Sequence, residues 1–166
     1  MADLLECLLQ VKGLRETIDR LLALAAAVDP SRWVELPPGG GPSAADLLAR
    51  LVEIEIVHGD WLRLMLGSSR PVLAASDTRA ALERARRHAG SATGTLGRLL
   101  EYRRENLDRL DRCSAADFSR VGVHPTRREM SVADLVALMM ASDAECVGEI
   151  RRALQSGHSG VPPSRC

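Results

Sequence analysis

The amino-acid sequence predicts an all-α protein: a four-helix bundle with a short extra helix and a disordered C-terminal tail. Three observations lead there. Apolar residues recur at spacings of three and four in four separate segments, no segment shows sustained strand alternation, and Gly- and Pro-rich stretches separate the segments. A chain of 166 residues, 46% hydrophobic and 27% charged, has the make-up of one compact domain, placed here at residues 1–157 with a tail at 158–166.

The first helix carries Leu4, Leu8, Val11, Leu14, Ile18, Leu21, Leu22, Ala25 and Val28 and stops at Asp29-Pro30. Between Pro30 and Pro42, two further prolines and Gly39 to Gly41 cannot continue a helix, so an extended crossover loop is predicted. Its length leaves both up-down order and a crossover bundle open. Ser43 with Asp46 approximates a capping box, after which Leu47, Leu51, Ile54, Val57, Trp61 and Met65 share one face until Gly67. Asp77 is a cap for a short helix carrying Ala81, Leu82 and Ala85, and the Gly/Ser/Thr-rich stretch from His88 to Gly97 predicts a break. Leu96, Leu99, Leu100, Arg103, Leu107 and Leu110 then resume a helical stripe. From Ser114 to Met130 there is one short apolar cluster and a His124-Pro125 turn. Ser131 and Asp134 repeat the capping box before Leu135, Leu138, Met139, Ser142, Cys146, Val147, Ile150 and Leu154, and Gly157 ends that helix.

Composition excludes several function classes. Basic and acidic residues cancel, 22 against 22, so there is no broad positive field for nucleic acid or an anionic membrane. The four aromatics, Trp33, Trp61, Tyr102 and Phe118, offer no platform for stacking bases. The longest apolar run, Leu21 to Val28, is far short of the roughly 20 residues that span a bilayer, and Asp3 and Glu6 stand where a signal peptide is basic. The expectation is a cytoplasmic protein with neither a nucleic-acid nor a membrane partner. Cys7, Cys113, Cys146 and Cys166 are scattered without a CxxC pair, so no zinc ribbon or disulfide framework is indicated.

Two stretches carry a family resemblance. Trp33, Leu36-Pro37, Gly41, Ser43, Asp46-Leu47-Leu48-Ala49, Leu51 and Glu55 resemble the entry to the second helix of the DinB-like (YfiT-like) bundles: a Pro-rich loop, Ser, an acid and then HL…E. His124-Pro125, Met130-Ser131, Leu135 and Asp143 to Ile150 resemble that family's HP…GxxTLxxLLxxxxxHDxxHxxQI stretch. The family includes bacillithiol transferases, mycothiol-dependent isomerases and other metal-dependent hydrolases. The resemblance implies that three His from the second and last helices bind one divalent metal. The motif departs at all three, since the matching positions are Arg50, Ser142 and Cys146.

Ser142 and Cys146, four apart, face the same way about 6 Å apart, the geometry two ligands of one metal need. The residue types are wrong, because a neutral hydroxyl is a poor ligand and Arg50 brings a permanent positive charge. The expectation is therefore no metal and no cofactor at this position. Among other histidines, His58 lies about 80° around the helix from Arg50 and points beside the pocket. His88 and His158 read as surface residues, and His124 as a local hydrogen-bond partner in its turn. The resemblance gathers Arg50, Glu55, Ser142, Asp143 and Cys146 between two helices. Asp143 or Glu55 is then the natural partner of Arg50, with Glu149 behind them, and Trp61 shares the Arg50 face. The expected function is binding of a small, anionic molecule in this interhelical pocket without metal catalysis. Other readings stand beside it: a metal- or thiol-dependent transferase or hydrolase, a redox or nucleophilic role for Cys146 as a thiolate, and a homodimeric interaction protein, a homodimer being what the family implies.

Overall fold

The computed structural model describes residues 4–75, 80, 83, 84, 91–126 and 128–156. Its long helices are α1 (Leu4–Ala27), α2 (Ala44–Gly67), α3 (Ala92–Leu110) and α5 (Val132–Ser156), with a one-turn helix, α4 (Ala115–Phe118), before the last. Of the short helix expected after Asp77, only Ala80, Glu83 and Arg84 are described, and they are helical. His88, His158, Cys166 and the tail at 158–166 lie outside the described residues.

Local chemistry sets the boundaries. Asp29 accepts from the Ser31 N–H at 2.9 Å and caps a 3-10 turn, Pro30–Trp33, that drives Trp33 into the core. Gly39, Gly40 and Gly41 all take positive φ, between 84° and 118°, conformations that L side chains rarely adopt. Ser43 and Asp46 then form a complete capping box that starts α2. The break expected from His88 to Gly97 does not extend past Ser91. The Ser91 hydroxyl accepts from the Gly94 N–H at 3.1 Å, and α3 runs helically through Gly94 and Gly97 because Leu96 between them and Leu99 after them are buried.

The absence of strands is corrected too. Val121–His124 (β1) and Arg128–Ser131 (β2) pair antiparallel, Gly122 opposite Met130 and His124 opposite Arg128. Residues 71–73 flank β1 on its other side, Val123 donating to the Pro71 carbonyl at 2.8 Å and accepting from Leu73 at 2.9 Å. On α1 the buried stripe is Cys7, Val11, Leu14, Thr17 and Leu21, whereas Leu4, Leu8 and Leu22 of the predicted stripe are exposed. Leucines surround this helix, so the periodicity has two overlapping solutions and packing selects one.

Two apolar clusters fix the helix directions. One joins Cys7 and Val11 of α1, Met65 of α2, Leu110 of α3 and Val136 of α5; the other joins Leu21, Leu48, Leu96 and Ile150. The starts of α1 and α5 therefore sit with the ends of α2 and α3, an up-down-down-up bundle. Helices α3 and α5 each pack between α1 and α2, which face each other across the diagonal. The long loop of residues 28–43 makes that crossing.

Candidate functional site

A charged layer separates the two apolar clusters. Arg103, from the apolar stripe of α3, is 1% exposed. Its Nη1 and Nη2 grip both oxygens of Asp143 at 2.8 Å; Nη2 also donates to Glu55 at 2.7 Å and Nη1 to the Leu14 carbonyl of α1 at 3.1 Å. Burial alone would lower the pKa of this guanidinium, but Asp143 and Glu55 more than offset it and hold the cation above its ordinary range. The second Glu55 oxygen accepts from Asn106 Nδ2 at 2.7 Å. Asn106 in turn fills the space over Gly59, where a Cβ would stand 2.6 Å from its Oδ1. All four helices thus meet at one buried guanidinium.

Beside this layer, a cavity of about 320 Å³ opens between α2 and α5. Arg50, Ile54, His58 and Trp61 line it from α2, and Leu138, Ser142, Glu145 and Cys146 from α5. The β-hairpin closes one end with His124 and Thr126. Arg50 forms an ion pair with Glu149 through Nη2, which also lies 3.3 Å from Cys146 Sγ. Its side chain is 15% exposed and that of Glu149 28%, so the pair is partly hydrated. The Arg50 Nε is buried with no partner, and no described hydrogen bond uses Nη1. Burial would lower the Arg50 pKa, yet Cys146 and Glu149 raise it overall. Burial pushes the Cys146 thiol up, and the opposing pull of Arg50 is smaller, so at neutral pH the sulfur is protonated.

At the far end, Trp61 lies between two imidazoles, His124 edge-on at 5.0 Å and His58 tilted at 5.4 Å. The Thr126 N–H donates to His124 Nδ1 at 3.2 Å, which assigns the proton of the neutral ring to Nε2.

Arg50, Ser142, Cys146 and Trp61 therefore border one cavity. Glu55 and Asp143 do not support it: they serve Arg103, and the partner of Arg50 is Glu149. The reason is helical geometry. Glu55 and Asp143 project into the bundle axis from the faces that bury Val52 and Met139, whereas the Arg50 and Glu149 side chains lie toward the surface. His58 is also corrected, since it lines the same cavity as Arg50. The cavity is a groove running along α2, long enough to admit side chains well apart in helical angle. Sequence reading missed Arg103 as the buried centre, although a signal existed: an Arg in register with Leu96, Leu99, Leu107 and Leu110 is placed to be buried.

Among the described residues, no group of three or more His, Cys, Asp or Glu side chains could hold a metal ion, and no helix is long and apolar enough to cross a membrane.

The fold and site define an up-down-down-up four-helix bundle with a polar groove between its second and last long helices. The sequence profile of the DinB superfamily matches residues 14–145, and the chain belongs to that superfamily. Among solved structures, YfiT from Bacillus subtilis, described as a probable metal-dependent hydrolase with an unusual four-helix bundle topology, superposes with a TM-score of 0.82. The two share 16% identity over 93% of this chain and 89% of that one, a likeness of fold. No curated protein matches the sequence.

Proposed function

We propose that this chain binds a small anionic molecule in the groove between α2 and α5, without metal catalysis at the family position. The state of Arg50 carries the reading. It borders a cavity of about 320 Å³ while its Nη1 makes no described hydrogen bond and its Nε is buried without a partner. A carboxylate or phosphate edge lying across the two Nη groups matches the guanidinium fork and would meet the Nη1 donors. Glu149 shares that cation through Nη2. Glu145 lies at the exposed mouth, where water and salt screen its charge.

The description of YfiT supplies the rival reading, hydrolysis at a bound divalent cation. The donor chemistry here opposes it. A guanidinium donates no lone pair and repels a cation, the Ser142 hydroxyl is neutral, and the buried Cys146 thiol must lose a proton before it can ligate. The same protonation opposes a nucleophilic role for Cys146.

Calorimetric titration with acetate and inorganic phosphate tests the proposal. Arg50→Ala weakens both at least tenfold while lowering urea stability by only about 1 kcal/mol, because its pair is partly hydrated. Glu149→Gln strengthens binding by releasing the guanidinium. Stoichiometric zinc or nickel in tag-free protein favours the rival reading, and anion binding indifferent to Arg50 overturns the proposal.

A further inference from the structure

We infer that the groove recognises an amphiphilic monoanion, a carboxylate or monophosphate on an aliphatic or aryl body, rather than a compact inorganic anion. This deepens the reading of Arg50 above and rests on it. The cavity lining is graded along its length. Arg50 stands at one end and Trp61 at the other, eleven residues apart on α2, which at 1.5 Å per residue is about 16 Å of helix axis. Between them the walls include Ile54 from α2 and Leu138 from α5, each partly buried against the apolar core, alongside the polar His58 and Ser142. The cation therefore sits at one end of a polar groove in which Ile54 and Leu138 form an apolar strip leading toward an indole. A compact anion on Arg50 leaves the partly exposed Ile54 and Leu138 in contact with water. A chain attached to that anion covers them, and each methylene so covered gains up to about 0.8 kcal/mol, or roughly fourfold in affinity.

The neutral thiol of Cys146 suits the same ligand. Packed beside Arg50 with its proton retained, it adds polarizable apolar surface next to the anionic head instead of a second negative charge.

Calorimetry with acetate, hexanoate, nonanoate, nonan-1-ol and inorganic phosphate, on the full chain, tests the inference. Affinity is expected to climb from acetate to nonanoate by at least a hundredfold, with a negative heat-capacity change that grows with chain length. Nonan-1-ol, lacking the charge, binds at least tenfold more weakly than nonanoate. Ile54→Gln and Leu138→Gln, at partly exposed positions and checked for helix content by circular dichroism, flatten the chain-length dependence. If acetate or phosphate binds as tightly as nonanoate in an Arg50-dependent manner, the amphiphile inference is overturned while the anion reading stands. If no carboxylate binding depends on Arg50, both fall. The comparison across ligands on the wild-type protein decides the question even if a variant fails to fold.

Discussion

Arg103 is the residue on which the interior depends most. It places one positive charge between two carboxylates in a region that water does not reach, and burying an ion without its counter-ion costs several kcal/mol. Arg103→Met leaves Glu55 and Asp143 facing each other without the cation and is expected to destabilise by about 3–5 kcal/mol in urea unfolding. Adding Glu55→Leu and Asp143→Leu to the same protein recovers part of the loss, because an apolar layer of similar volume has no charge left to desolvate. A stability change under 1 kcal/mol for Arg103→Met alone contradicts the role given to this network. Arg50 differs in degree: its pair with Glu149 is partly hydrated, so its removal strands much less.

At the level of elements, the packing of α2 against α3 turns on Gly59. In a helix, Gly→Ala normally stabilises by up to about 1 kcal/mol. Here the added Cβ would meet the buried Asn106 amide within 2.6 Å, and that amide holds the second oxygen of Glu55. Moving it costs a hydrogen bond to a charged group, about 1.5–3 kcal/mol. Gly59→Ala is therefore expected to destabilise by roughly 1–2 kcal/mol net, against its helix propensity, and a rise in melting temperature contradicts the contact.

The same elements mark what the sequence makes legible. The starts of α2 and α5 are written in Ser43-Asp46 and Ser131-Asp134, whose reciprocal bonds are present. The β-hairpin is not legible, because strands of four residues hold too few positions for alternation to register, and Gly122 and Arg128 interrupt what there is. The groove residues Arg50, Ser142 and Cys146 follow from motif position. The division of labour between Arg50 and Arg103 does not, because choosing among nearby carboxylates depends on which helix face turns inward, and that is a property of packing.

For the molecule as a whole, acid sensitivity follows from carboxylates that work at helix starts. Hydrogen bonds from the Ser31 hydroxyl and N–H hold Asp29 below its ordinary value, and bonds from the Ser114 N–H and hydroxyl do the same for Asp117. A carboxylate lowered on folding contributes stability in full above its unfolded value, near 3.8 for Asp, and loses it as pH falls through the lower folded value. The urea midpoint is expected to vary little on account of these groups from pH 7 to 5 and to fall below pH 4. In the Asp29→Asn, Asp117→Asn double variant the fall between pH 5 and 3 is shallower; an unchanged slope contradicts the assignment.

The diagonal placement of α1 and α2 has a consequence for biosynthesis. As the polypeptide leaves the ribosome, its first two long helices do not form a neighbouring pair, so the familiar route of an early helical hairpin is closed to them. The earliest-made helix waits for partners translated some 70 to 140 residues later, and ring closure falls to the last-made one. Such long sequence separations favour slow, late assembly, with the inward stripe of Val11, Leu14 and Leu21 uncovered in the meantime.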